Sequence, residues 1–226
     1  MRLLLQCAIA AALVITSGCG GSSPTAPGST IVYAALGASD AVGIGASPMT
    51  EGYVFVVSRR LDGLRAGLRV GVRLSNLGIL GASVDTIAGT PLQQAIAAGP
   101  HVVTVWTGSN DVVRGAAPAA FADTLDRLLG ELRARTTATI FVGDLADLTK
   151  APQFRNQPDP DVTPARLAAF NQAIDAVVTA RGCVLVRLST LAIDDGSFAI
   201  DGFHPNNTGY GRIADAFWAA MEPRVR

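Results

Sequence analysis

The stretch "YAALGASDAVGIGA", Tyr33 to Ala46, sets Ser39 in a glycine-flanked turn directly after an apolar run. A serine there has two readings: a nucleophile displayed by a tight turn, or a small polar residue that simply suits one. A serine hydroxyl attacks only when a base takes its proton, and the chain has two histidines. One of them, His204, follows Asp201 by three residues in "DGFHPNNTGY". That spacing on a turn lets the carboxylate fix the imidazole tautomer and stabilise the imidazolium. "TGSND" adds Asn110 and Asp111, and "NLGILGAS" adds Asn76, Gly78 and Gly81. Hydroxyl, imidazole, carboxylate and small or amide-bearing loops are the groups that acyl transfer needs.

Residues so far apart in sequence meet only if the elements between them carry them to one place. Apolar runs of strand length alternate with segments of helical period, which predicts an α/β fold with a parallel sheet. The runs "IVYAALG" (Ile31–Gly37), "RVGVRLSNLG" (Arg69–Gly78), "HVVTVWTG" (His101–Gly108), "ATIFVGDL" (138–145) and "CVLVRL" (183–188) read as five strands. "TEGYVFVVSRRLDGLRAG", "TPLQQAIAAGP", "APAAFADTLDRLLGELRART", "TPARLAAFNQAIDAVVTARG" and "NTGYGRIADAFWAAME" read as helices, with Thr163 as a cap, Pro164 in the first turn and Gly182 as the stop of the fourth. The expected architecture is a three-layer α/β/α sandwich around a flavodoxin-like, five-stranded parallel sheet.

In such sheets ligands bind outside the carboxyl ends of the strands. Ser39 follows the first strand, Asn76, Gly78 and Gly81 the second, and Asn110 and Asp111 the third. Asp201 and His204 close the long loop before the last helix. All therefore fall on one edge. His101 opens the third strand, so at ~3.3 Å per residue it lies roughly 20 Å from the end that carries Asn110. It is read as structural, which leaves His204 as the available base.

The blocks "LGASDAVGIGA", "NLGILGAS", "TGSND" and "DGFHPNNTGY", in this order, resemble those of the SGNH hydrolases, the GDSL-type esterases and lipases. The likeness runs from Tyr33 to about Trp218. It implies Ser39 as nucleophile, Asp201 as the residue that orients His204, and His204 as general base and then acid. It further implies an oxyanion hole of the Ser39 and Gly81 backbone N–H groups and the Asn110 side-chain amide, with Gly78 as the alternative to Gly81. One departure stands in the first block, where Ala38 replaces the aspartate of Gly-Asp-Ser; Asp40, next door, could partly substitute. Asp111 is read as a prop for its loop. Asp144 and Asp147 are read as solvated loop carboxylates, with lining the pocket as the alternative.

The implied reaction is ester hydrolysis through an acyl-enzyme, without cofactor or metal, and with activity that rises with pH as His204 becomes neutral. A small acyl group is favoured. Lipid esters of the lysophospholipid kind, sugar esters, and a non-catalytic binding lipoprotein on the same fold are the alternatives; a degenerate binding module would be expected to lose Ser39, His204 or Asn110. The proline-rich stretch "LADLTKAPQFRNQPDPDVTP" is expected to form a lid or rim.

The remaining features bound partners and location. Eighteen basic against eighteen acidic residues leave no basic surface for nucleic acid. Met1-Arg2 followed by an apolar run to Ile15 and "TSGCGG" reads as an export signal over residues 1–18, too short to span a bilayer. Two cleavages fit it. Lipoprotein processing would leave a lipidated Cys19, although Thr16 stands where leucine is usual; an ordinary signal would be cut near Gly18 and release the protein. With lipidation, membrane contact is through Cys19 only, in the cell envelope, and Gly20 points to an outer-membrane destination. Residues 19–29 read as a Gly/Ser/Pro tether and residues 30–226 as one domain. Cys183 has no partner for a disulfide or a zinc site and reads as a small buried apolar residue.

Overall fold

The computed structural model describes residues 30–65 and 71–225. The expected export signal, Cys19 and the tether lie outside the described residues. β1 (Ile31–Gly37), β2 (Val72–Asn76), β3 (Val102–Trp106), β4 (Thr139–Gly143) and β5 (Val184–Val186) form one sheet in the order β2-β1-β3-β4-β5. Every neighbouring pair is parallel, which is the flavodoxin-like order with its switch point between β1 and β3. β1 coincides with its apolar run, and the other four strands are shorter than the runs that contain them. β5 stops at Val186 because Leu188–Thr190 turns away as a 3-10 helix.

The five expected helices are α2 (Tyr53–Arg65), α4 (Thr90–Ala97), α6 (Pro118–Arg135), α8 (Pro164–Ala180) and α9 (Asn207–Val225). At the start of α8, Thr163 accepts from the Arg166 N–H at 3.2 Å, as its cap position requires. Four further helices, α1 (Ser39–Val42), α3 (Val84–Ile87), α5 (Ser109–Val113) and α7 (Pro152–Asn156), were not expected. Each is about one turn long, too short for a 3.6-residue period to show.

Both faces of the sheet are covered, which is why the inner strands β1, β3 and β4 are almost continuously apolar, whereas the edge strand β2 carries Arg73, Ser75 and Asn76. Ala34, Leu36, Val103, Val105, Ile140 and Val142 point to the side of α4, α6 and α8. Tyr33, Ala35, Val102, Trp106 and Phe141 point to α2 and α9. The handedness rule explains the split: the chain steps from β1 to β2 in one direction and then reverses through β3, β4 and β5, so right-handed crossovers place α2 on the face opposite α4, α6 and α8. After β5 the chain returns to the α2 face. There α9 buries Tyr210, Ile213, Ala214, Phe217 and Met221 at helical spacing. This return carries the loop before α9 back across the sheet toward the end of β1. Among the described residues, no helix is long and apolar enough to cross a membrane.

Candidate active site

Ser39 is the first residue of α1, immediately past β1. The turn needs small residues on both sides. A Cβ on Gly37 would stand 2.8 Å from the Trp106 carbonyl oxygen and 2.9 Å from the Ala41 Cβ. Gly43, with φ at +93°, ends α1 by donating its N–H to the carbonyls of Ser39 and Asp40, a left-handed stop that glycine adopts freely.

His204 reaches this turn from the opposite end of the chain. Its Nε2 lies 2.8 Å from the Ser39 Oγ, and its Nδ1 lies 2.6 Å from Asp201 Oδ2. The other carboxylate oxygen, Asp201 Oδ1, accepts the N–H groups of Phe203 at 2.9 Å and His204 at 3.0 Å. Partial burial works to raise the Asp201 carboxyl; the hydrogen bonds from the His204 ring and from these two N–H groups outweigh it and hold the group below its ordinary value. An ionised carboxylate only accepts hydrogen bonds, so Nδ1 is the ring's donor and Nε2 of the neutral imidazole is the acceptor that faces the serine O–H. The line Asp201–His204–Ser39 is therefore oriented for proton removal from the hydroxyl.

Two ties hold the His204 loop over Ser39. Asn207 accepts the Ser47 N–H and donates to the Ser47 carbonyl, both at 2.8 Å. Tyr210 donates its O–H to the Ile44 carbonyl at 2.6 Å. Between them, Gly45 has φ at +95°, and a Cβ there would lie 2.4 Å from the Pro205 carbonyl oxygen and 2.9 Å from the His204 Cβ. Asn206 secures the loop from within, accepting from Thr208 and Gly209 and donating to the Gly196 and Phe198 carbonyls. Ser47, Asn206, Asn207 and Tyr210 did not stand out in the sequence, since serine, asparagine and tyrosine in a loop or at a helix start carry no signal of their own.

The expected donors on the neighbouring loops are also brought to this edge. Asn110, in α5, donates from Nδ2 to the Ala82 carbonyl at 3.1 Å; an amide NH2 has a second hydrogen to offer. Gly81 has φ at +68°, and Arg114 donates to its carbonyl at 2.7 Å, a contact the sequence did not suggest. The two glycines of the second block differ. The N–H of Gly78 donates to Asn76 Oδ1 at 3.1 Å, and Asn76 Nδ2 donates to the Ala41 carbonyl at 2.7 Å. A Cβ on Gly78 would press on Ala41 and Val42 at 2.9 Å. Gly78 thus serves close packing of the loop on α1. Asp111 is buried and accepts the Val84 N–H on both oxygens at 3.2 Å; burial, opposed by this bond, raises its carboxyl.

Other expectations need correction. Asp144 is no solvated loop carboxylate: it is fully buried, accepting from the Ser189 N–H and Oγ at 2.7 Å each, so it locks the end of β4 to the turn after β5. Asp147 accepts from Thr149 N and Oγ1 as a local cap, and its side chain also borders the cavity beside Asp40. Cys183 is only partly buried; burial pushes its thiol up to about 11, far from a reactive thiolate. His101 stands just before β3 and accepts the Val32 N–H on Nδ1 at 3.1 Å, a structural contact at the amino end of the sheet. The proline-rich stretch braces the His204 loop: Gln153 N–H donates to the Gly202 carbonyl at 3.0 Å, and Phe154 packs edge-on against Phe203. Among the described residues no three His, Cys, Asp or Glu side chains gather into a metal site.

Comparison with known proteins adds to this geometry. No curated protein matches the chain. Solved structures similar to it include a Clostridium thermocellum family 3 carbohydrate esterase, with 20% identity, a TM-score of 0.68, and coverage of 87% of this chain and 98% of that one. An acetylxylan esterase from Geobacillus stearothermophilus is similar at 20% identity and a TM-score of 0.68, with 87% and 96% covered. A lipase/acylhydrolase from Enterococcus faecalis is similar at 17% identity and a TM-score of 0.68, with 86% and 97% covered. At these identities the likeness is one of fold. The family model of the GDSL-like Lipase/Acylhydrolase family matches residues 15–212, nearly the whole described domain. The chain is a carboxylic ester hydrolase and belongs to the GDSL-like Lipase/Acylhydrolase family.

Proposed function

We propose that this ester hydrolase works through Ser39, His204 and Asp201 on esters of small acyl groups. The observation that carries the assignment is the unbroken hydrogen-bonded line from Asp201 Oδ2 through His204 to Ser39 Oγ, 2.6 and 2.8 Å long. Ser39 Oγ attacks the acyl carbon while its proton passes to His204 Nε2. The tetrahedral oxyanion is met by the N–H groups of Ser39 and Gly81 and by the free N–H of the Asn110 amide. When the C–O bond to the alcohol breaks, His204 returns the proton to the leaving oxygen. Water then attacks the acyl-enzyme with its proton going to the same nitrogen, the acid departs, and Ser39 regains its proton.

The short acyl chain is supported by the fold shared with a carbohydrate esterase and an acetylxylan esterase. A second reading, a lipid-like ester, is supported by the apolar rim. Met49, Ile79, Leu80 and Ile200 are the large hydrophobics exposed among the described residues; Met49 opens a 3-10 turn between α1 and α2, Ile79 and Leu80 follow β2, and Ile200 precedes the His204 turn. Export by residues 1–18, a lipid anchor at Cys19 in the cell envelope and a tether to residue 29 complete the proposal; its alternative is an ordinary signal cut near Gly18, which releases a secreted enzyme.

Nitrophenyl esters from acetyl through octanoyl to palmitoyl test both parts, with the purified protein and its Ser39→Ala variant. The parent is expected to turn over acetyl ester fastest, and the variant to fall by a factor on the order of 10⁶. A variant that keeps its rate would overturn the nucleophile. A profile that peaks at octanoyl or beyond would transfer the preference to the lipid-like reading.

A further inference from the structure

Asp40 is a carboxylate that the reaction described above does not use, yet it follows the nucleophile directly in α1. It borders a small cavity together with Trp106, Asp147, Phe203 and Pro205. Phe203 and Pro205 are the two neighbours of His204, so the cavity separates the Asp40 side chain from the loop that carries the imidazole. The cavity is small, about 40 Å³, with space for no more than a few ordered waters. Its surroundings are poor in compensating charge. Asp147 borders it from the loop after β4, and Asp201 on the His204 loop, Tyr53 in α2 and Tyr210 in α9 lie within electrostatic reach of Asp40. The phenols are held neutral, mainly by burial. His204 is the group in this set able to become a cation.

We propose that Asp40 is a positioning residue whose charge, across this cavity, serves as a second counter-charge to the His204 imidazolium formed as Ser39 is deprotonated. The proposal rests on the triad reading above. Its physical basis is a difference between two carboxylates. Asp201 touches the ring, but its side chain is 42% exposed, so water screens part of its field. Asp40 is half-buried and less exposed than Asp201, and a charge in a less solvated place acts further. Burial is the main influence on its carboxyl and raises it to about 6; attraction to His204 opposes that rise, and repulsion from Asp201 adds to it. An attraction that favours charged Asp40 beside charged His204 favours charged His204 equally.

The sign of the stability effect separates this role from a structural one. A carboxyl whose proton is held more tightly in the folded protein stabilises the fold when neutral. That contribution is present at low pH and is lost as pH rises from the ordinary 3.8 to about 6. Above that range the protein carries a charge that weakens its fold. Asp40→Asn keeps the shape and removes the charge.

The test follows kcat/KM for nitrophenyl acetate and urea stability from pH 4 to 9 in the parent, Asp40→Asn and Ser39→Ala. The ratio of parent to Asp40→Asn activity is expected near one at pH 5, rising to about tenfold at pH 8, the equivalent of one pKa unit of mutual stabilisation. Asp40→Asn is also expected to be more stable than the parent at pH 8 and equal to it at pH 4. A pH-independent ratio, or an Asp40→Asn protein that is less stable at pH 8 or does not fold, would show a structural prop and overturn the proposal. Activity retained by Ser39→Ala would instead overturn the triad reading on which it rests.

Discussion

Ser39, His204 and Asp201 each owe their proposed role to a different physical fact. Ser39 is 6% exposed, at the head of a one-turn helix; His204 presents Nε2 because Asp201 takes the proton side of its ring; Asp201 stays ionised because three N–H groups converge on it. Asn110 adds a preoriented donor, since one hydrogen of its amide is fixed on the Ala82 carbonyl. Replacing it removes a donor aimed at charge that develops only in the transition state. Asn110→Ala is therefore expected to lower kcat by about 10²–10³ with KM little changed, which steady-state kinetics on a nitrophenyl ester will read. These four residues were singled out in the sequence because their blocks occur in a family's order on one edge of the sheet, since their types alone suit any turn. Asp144 was misread at the same scale. Nothing in "GDLADLT" shows that its carboxylate meets Ser189, 45 residues later.

Between residue and fold stand the loops, and here glycine does the deciding. At Gly45 the first loop passes under the backbone of Pro205 and His204 with no space for a methyl group. Gly45→Ala is expected to push the His204 loop away from Ser39. A displacement of about 1 Å at the reacting groups costs on the order of 10²-fold in rate. Gly63, in α2, is the control, because a Cβ there meets nothing within 4 Å. Gly63→Ala is expected to leave kcat unchanged and to stabilise the protein by up to about 1 kcal/mol through helix propensity. Equal losses in both variants, measured side by side, would contradict this account. The long helices were readable from their periods and caps, whereas α1, α3, α5 and α7 were not, because about one turn of chain has no period to display.

At the scale of the whole molecule, α9 is what closes the site. It packs on α2 through a face that includes Phe217, which stacks on Tyr53 at 5.1 Å, and Tyr53 in turn meets Trp106 edge-on at 5.4 Å. This aromatic column joins α9, α2 and the end of β3 beneath the nucleophile turn. Removing the ring that α9 contributes costs both transfer energy and a cavity. Phe217→Ala is expected to lose about 3–5 kcal/mol of stability, read by urea unfolding, and to loosen the His204 loop before the rest of the sheet.

The amino-acid sequence by itself determined the five strands, the crossover helices and the side of the sheet on which chemistry gathers. These follow from local pattern: apolar alternation, caps, and turn residues at strand ends. Only the tertiary structure decided how residues 160 positions apart meet. The packing of Gly78 on α1 and the bonds of Asp144 to Ser189 join segments distant in sequence. The clasp of Asn207 on Ser47 and the bond of Tyr210 to Ile44 depend on the return of α9 across the sheet. That path is set by burial of a whole helix face against α2, a contact between distant segments that no local stretch records.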